Sequence, residues 1–565
     1  MVESLIRVNT VHSPMINMYK EEPSKTILLF SEEIFDLIVP KDHVLYRIDQ
    51  EIDFSFVNEI CKGMYHPDLG RRVVNFPERM FRAEIIQYMY KLSDRQLAEQ
   101  ASLNILYRWF IGYGLDDKVF HWTAPGKFRV ALGKEKHKEL FNRIIDQLIE
   151  KGLIGKNENQ SLDATDIIGD VAIPTTIGIV NQAVKHLLVT TQRRANILMP
   201  KIAEELDVEY YIRRKGKKEY KMTDEEKRKT LNQVVNDALK TIWIVELSLE
   251  KGELVLKPKH EMQLREAIDD IKKILGDYVE EISYDQDEGN GGSKTTEDEN
   301  TEVKYVKREE KGEDRLVSMV DRDVRWGAKS DKKIFPGYKA HTTMTDDGFA
   351  TNIEVTPGNV SDESMAVPLA KHQKERHDLK PKKMRGDGIF GTVDNRKAFK
   401  GMGTKLVAPE RTSHNKGEFP KSMFEFDDEN GVLTCPAGVT TAISYYNKGT
   451  RSNVYYFDKM QCGSCLSKGK CTKAPFRTVS IHEDFAIQLE AMEYNATDDY
   501  KEDMKMRAHI EPKQAEMKRF HGLGRAIYRG LERVNIQAIY TAIVVNLKRM
   551  VTVLFSVSYQ SKAVG

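Results

Sequence analysis

Two residues, Asp347-Gly348, constrain this chain more than any others, because they sit between two runs that alternate as strands do. Pro336-Gly-Tyr-Lys-Ala-His-Thr-Thr-Met-Thr leads into them, and Phe349-Ala-Thr-Asn-Ile-Glu-Val-Thr leads out. An Asp-Gly pair accepts the positive φ of a tight turn, so the two runs are expected to pair as a two-residue hairpin. The pattern then switches. A helix is expected around 364–374, a strand over Met384–Phe390, a helix over about 392–399 and a strand at Lys405-Leu-Val-Ala. A further strand-like stretch begins upstream at Ser161.

The rest of the chain reads mostly as helix. At 565 residues it is too long for one hydrophobic core, so two to four domains are expected. From about residue 30 to 152, Val44, Ile48, Ile52, Phe56 and Ile60 recur every four residues as one apolar stripe. Pro77 opens a second helical pattern to about Tyr90, and Ser93-Asp-Arg-Gln96 is a capping box. Short helices joined by tight turns fit either a helix-turn-helix arrangement or an ordinary bundle. Arg71, Arg72, Lys127 and Arg129 are candidates for phosphate contact.

Residues from about 177 to 275 are again helical, with a capping box at Thr223–Glu226 and a seam of Leu264, Ile268, Ile271 and Leu275. They read as an inserted subdomain. Tyr284 to Glu302 has little to bury and reads as a mobile acidic linker. Val534 to Phe555 is the most apolar segment, but Asn546, Lys548 and Arg549 interrupt it, so a buried helix is expected and not a membrane span. The N-terminus lacks the charged-then-apolar pattern of a signal peptide, and a cytoplasmic protein is expected. The formal net charge of +1 argues against a simple nucleic-acid coat protein but leaves room for local basic patches.

Three acids have the settings that metal chemistry needs. Asp163 in Ser-Leu-Asp-Ala-Thr-Asp-Ile-Ile and Asp387 in Arg-Gly-Asp-Gly-Ile-Phe lie on short apolar runs. Glu511 lies in Arg507-Ala-His-Ile-Glu511-Pro-Lys-Gln-Ala-Glu-Met-Lys518-Arg519. Offsets of four and seven fall on one face of a helix, so Arg507, Glu511 and Lys518 are expected to point the same way. Asp166 is three residues from Asp163 and would face the other side of a strand, so one of the pair belongs to the site. Two strand-borne aspartates and a helix-borne glutamate suit two divalent ions, Mg²⁺ or Mn²⁺, acting on a phosphodiester. A hairpin, then strands alternating with helices, with acids on the first and fourth strands and a late helix, is the order of an RNase H-like α/β fold.

The C-terminal stretch resembles the Y-x2-R-x3-E-x6-K signature of DDE transposases from bacterial insertion sequences. Arg507, Glu511 and Lys518 fill its last three slots, while Met504 stands in the tyrosine slot. Also similar are Asp163 with Thr165 two residues on, which selects Asp163 over Asp166, and the turn Arg-Gly-Asp387-Gly-Ile-Phe-Gly. So are Asp321-Arg-Asp323-Val-Arg325-Trp326-Gly-Ala-Lys329 with Phe335-Pro-Gly-Tyr338-Lys339-Ala-His341, and Arg529-Gly-Leu-Glu-Arg533 with the apolar helix after it. The resemblance spans about residues 30–555. It implies a transposase that cuts DNA at the inverted-repeat ends of its element and transfers the freed strand. Asp163, Asp387 and Glu511 would be the metal ligands, and Arg507, Lys518 and Arg519 would contact DNA. A homodimer on DNA, associated with the nucleoid and with no membrane partner, follows. The rival readings are a metal nuclease without strand transfer and a domesticated, non-catalytic DNA-binding protein.

The expected organisation is a helical DNA-binding domain over 1–152, an RNase H-like core over 153–185, 315–411 and 486–565, a helical insertion over 186–314 and a Cys-rich insertion over 412–485. Five cysteines without a secretory signal suggest reduced thiols or metal ligands. Cys435, Cys462, Cys465 and Cys471 are candidate ligands of a structural Zn²⁺, with His482 as a replacement, and a reduced Cys-rich loop is the alternative. Cys61 is read as a packing residue. His341 and Trp326 are read as buried side chains, with approach to the active site and base stacking as their respective alternatives.

Overall fold

The computed structural model describes residues 17–18, 29–64, 71–72, 75–213, 218–284, 302–310, 312–330, 333–410 and 418–562. The side chains of Arg71 and Arg72 lie outside the described residues, as does all of the expected Tyr284–Glu302 linker but its ends, which pair as strand residues. The chain is a mixed α/β protein with a helical N-terminal region.

The expected stripe from Val44 to Ile60 is two helices, Val44–Glu51 and Phe56–Cys61. They part at Asp53, whose carboxylate accepts the N–H and the hydroxyl of Ser55 at 2.9 and 2.8 Å and so turns the chain. Helix α1 (Pro77–Met89) opens on its proline, every residue of it is buried, and α2 (Ala124–Glu150) packs beside it. Both capping boxes are present, at Ser93/Gln96 and Thr223/Glu226.

The first core strand, β1 (Gln160–Ile168), leads into α3 (Thr176–Arg194), α4 (Asp224–Glu250) and α5 (Pro258–Tyr278). These three helices enclose an apolar core of their own. Helix α3 runs unbroken across residues 185 and 186. The chain then returns to the sheet as β2 (Arg325–Ser330), β3 (Lys333–Thr345) and β4 (Ala350–Pro357). The β3–β4 hairpin closes through three residues, 346–348, and not two. Thr345 bonds Phe349, and Gly348 takes the positive φ of +85°.

After the helix Ala366–His377 come β5 (Lys383–Arg385), α6 (Val393–Gly401) and β6 (Lys405–Val407). The sheet order is β6-β5-β1-β3-β2, with β4 beside β2 on the same edge of β3. Strand β3 runs antiparallel to β1, β2 and β4, whereas β5 and β6 run parallel to β1.

One face of the sheet buries Leu162, Met384 and Leu406 against Leu369 and Phe399 of the two crossover helices. The other face packs on the C-terminal helices α7 (Asp498–Arg507), α8 (Ile510–Arg519) and α9 (Leu531–Lys562). Helix α9 is apolar and long enough to cross a membrane by composition, yet two thirds of its most apolar window is buried. Its Asn535 and Asn546 clamp strand β4. Each bonds both the N–H and the C=O of one strand residue, Val355 and Ala350 respectively, at 2.7–3.1 Å. Tyr540 of α9 stacks on Tyr88 of α1 at 5.1 Å and meets His137 of α2 at 5.3 Å, so the N-terminal helices share one core with the sheet.

Candidate active site

Strand β1 pairs with β5 only at Gln160↔Met384 and Ser161↔Arg385. Beyond that point the strands part, and Asp163 and Asp387 each stand two residues past the last pair. The two acids lie near each other, since the Asp387 charge is among those that raise the Asp163 carboxyl. Asp387 is therefore not on a strand, as expected, but in the turn after one. Its Oδ1 accepts the Ile389 N–H at 2.9 Å. The turn is tight: a Cβ on Gly386 would stand 2.9 Å from the Phe390 ring, and one on Gly391 would stand 2.6 Å from the Pro409 carbonyl.

From Leu162 to Ile167 the β5-side edge of β1 has no strand partner among the described residues, and it closes again where Ile168 bonds Gly524 and Ala526. Helices α7 and α8 fill the gap. They are not one helix, as the Arg507–Lys518 spacing suggested, but two, broken at Ala508-His509. Pro512 accounts for the break, because its ring would clash with the carbonyl four residues back, that of Ala508.

Arg507 still faces Glu511, with Nη1 3.6 Å from Oε1, and its Nη2 lies 3.7 Å from Asp163 Oδ2. One guanidinium thus bridges the first and third acids. Lys518 goes elsewhere: its Nζ donates to Asp166 at 2.8 Å, and Lys329 stands 3.7 Å from the same carboxylate. Both aspartates of β1 are reachable because cations from α7 and α8 lean over an open strand edge. Arg519 is exposed, on the last turn of α8.

Charge records the same proximity. Burial is the largest influence on Asp163 and, with the nearby Asp387 and Glu511 carboxylates, pushes it up to about 6 against the pull of Arg507 and the Ala164 N–H. Burial also raises Asp166, but the Lys518 hydrogen bond and charge outweigh it, and the carboxyl falls below its usual range. Among the described residues, no three His, Cys, Asp or Glu side chains close on one point as they stand. Glu511, 61% exposed, is the acid of the three with most freedom to turn inward.

A second cluster holds the site together and was not anticipated. Asp503, buried one turn before Arg507, accepts from Arg385 Nε at 2.9 Å, Lys383 Nζ at 2.9 Å and the Tyr494 hydroxyl at 2.5 Å. Arg385 also bonds Asp346 at 2.5 Å. The strand leading to Asp387 and the helix carrying Arg507 are therefore tied through one carboxylate. The signal available was the Asp503–Arg507 spacing of four, which puts both on one helical face.

Other candidates have different roles. Arg129 is no phosphate contact: it is buried, with Glu84 at 2.6 Å and Asp94 at 2.7 Å. Lys127 is exposed. His341 is fully buried, shares a hydrogen bond with Thr356 at 2.9 Å and is pushed down to about 3 by burial. Trp326 packs on the main core beneath Arg315, and Cys61 is buried there too.

The four remaining cysteines line one apolar cavity of about 30 Å³. Cys435 opens a turn closed by Gly438 N–H to Cys435 C=O at 2.8 Å, while Cys462 and Cys465 end one short helix and Cys471 another. Burial raises the Cys471 thiol, and its three neighbours add to the effect. His482 does not line this cavity, and its Nδ1 accepts the Asp484 N–H.

Residues 33–131 match the family described as Transposase domain (DUF772), and residues 434–551 match the one described as Transposase DDE domain. No curated protein matches the chain, nor does any solved structure. The second match covers Arg507, Glu511 and Lys518. Asp163 and Asp387 fall outside both. Over those two stretches the chain is similar to transposase domains. Each match covers only part of the chain, and over residues 434–551 the likeness is to a DDE-type transposase domain.

Proposed function

We propose that this protein is a DNA transposase that binds the inverted-repeat ends of its element and catalyses cleavage and strand transfer at Asp163, Asp387 and Glu511. The observation that carries the reading is the shared register of Asp163 and Asp387 at the parting of β1 and β5, with Glu511 joined to Asp163 through Arg507. The strand order, an antiparallel hairpin flanking β1 on one side and parallel strands on the other, supports an RNase H-like core.

Three carboxylates from three elements, with no thiol or imidazole among them, fit hard divalent ions such as Mg²⁺ or Mn²⁺. Bound there, such ions would activate the attacking hydroxyl and neutralise charge on the leaving oxygen. Arg507 limits the motion of two of the acids and offers a fixed positive charge to the phosphodiester. Lys518 and Arg519 extend that basic edge along the DNA backbone, where contacts position the duplex without reading its sequence. Water attacks one phosphodiester and releases a 3′-hydroxyl. That hydroxyl then attacks a target phosphodiester, and a second 3′-oxygen leaves.

Two ends must meet, so the working form is a homodimer on DNA, in the cytoplasm. The four thiols suit a structural Zn²⁺ that would brace the Cys-rich insertion, since a soft all-sulfur set is what tetrahedral zinc prefers.

The test compares wild type with Glu511→Gln for Mg²⁺-dependent cleavage of DNA carrying the element ends. Wild type is expected to cut at the boundary, and the variant to bind without cutting. Binding by both with cutting by neither would favour the non-catalytic reading. Cleavage without joining of pre-cut ends would leave a nuclease.

A further inference from the structure

Residues 443–482 carry seven lysines and arginines against one acid, Asp458, a net +6 in a chain whose total is +1. They include a three-stranded antiparallel sheet of β7 (Ser444–Asn447), β8 (Ser452–Tyr456) and β9 (Thr478–His482). Its inner face buries Tyr455, Val479 and Ile481 in a small core. By register, its outer face presents Tyr445, Val454 and Tyr456 beside Thr478 and Ser480.

Tyr445 is 48% exposed, and its ring lies 5.5 Å from that of Tyr456, which lies 6.1 Å from Phe476. Tyr456 and Phe476 are half-buried, and Phe476 stands two residues before β9, so the row of rings runs from the sheet onto its margin. Lys448 at the β7–β8 turn and Lys473 before β9 are both exposed at its margins. The sheet is also fastened to the catalytic side. Arg451 of the same turn pairs with Asp394, and Lys397 with Asp484 at 2.8 Å. Asp394 and Lys397 belong to α6, the helix that starts six residues after Asp387.

We propose that the outer face of this sheet is a stacking platform for unpaired bases of DNA, held beside the phosphodiester being cut. The inference rests on the active-site reading above for its location. Aromatic rings rimmed by lysines are what a single strand needs, since every base has a face to stack and every nucleotide a phosphate to neutralise. A closed duplex offers only the charge.

The experiment uses the full chain without divalent ions and a 12-nucleotide oligo-dT carrying one 2-aminopurine, followed by anisotropy and by fluorescence quenching. Wild type is expected to bind and quench. Tyr445→Ala/Tyr456→Ala should bind about ten-fold more weakly and leave the fluorophore unquenched, with duplex affinity unchanged. Tyr445→Phe/Tyr456→Phe should restore both readouts. Should the alanine pair unfold, Lys448→Glu/Lys473→Glu, at exposed positions, is expected to weaken binding and flatten its salt dependence. Absence of quenching by wild type, or equal quenching by the alanine pair, overturns the platform, and so does unaltered binding by the lysine variant. Quenching without any cleavage of element ends would sink the active-site reading and leave the platform standing.

Discussion

Asp503 shows what a single buried carboxylate does here that its neighbours in sequence do not. Burial raises it, yet hydrogen bonds from Tyr494, Lys383 and Arg385 prevail and hold it below the usual carboxylate range. Asp503→Asn keeps the shape and removes the charge that Arg385 and Lys383 face. Breaking a buried ion pair costs about 3–5 kcal/mol. The low end is expected, because Arg385 keeps Asp346. Thermal unfolding should register that loss, and single-turnover cleavage should slow about ten-fold at unchanged DNA affinity. Cleavage at the wild-type rate would reduce Asp503 to a purely structural role. Arg129 teaches the converse lesson. From the sequence it is a free cation, but its partners Glu84 and Asp94 lie 45 and 35 residues away, a separation that no local pattern reveals. The three acids stand out in the sequence by their neighbours, an apolar run, a glycine turn or a flanking arginine and lysine.

Elements were legible where propensity and pattern agree, as in both capping boxes and the order of strands and helices from 333 to 407. They were misread where one residue overrules a period. Spacing made Arg507 to Lys518 a single helix, although Pro512 was in plain view and forbids it. The strand before Asp387 was drawn too long for a similar reason, since Gly386 turns the chain. Pro512→Ala removes the steric bar and lets α7 run into α8. Circular dichroism at 222 nm should then hold or rise, while cleavage falls about ten-fold as Glu511 swings with the straightened helix. Unchanged cleavage would mean that the break is incidental to the site.

At the scale of the whole molecule, one core joins the N-terminal helices to α9 and the sheet, and it contains groups that resist charging. Burial, with the charge of Arg129 adding to it, pushes His137 down to about 3, and its ring sits between Phe128 and Tyr540. An unfolded histidine titrates near 6.5, about three units higher. Its contribution is therefore complete above pH 6.5 and is lost as the pH falls towards 3, by at most about 1.4 kcal/mol per unit. Urea midpoints at pH 7, 5.5 and 4.5 should fall less steeply in His137→Phe than in wild type, and parallel slopes would refute the assignment. Such long-range burial was not legible, whereas the separate helical core was, because its seam repeats within one stretch of chain. The unpaired edge of β1 also has a consequence in time. Its first neighbour, β3, begins some 165 residues after it ends, and the segment that caps its far edge only after about 330. At 5–20 residues per second, roughly 20–70 s of synthesis pass with that edge bare, a template for sticking to other chains. A ribosome that stalls or stops before residue 498 releases an aggregation hazard, so message integrity sets how much of the folded protein a cell accumulates.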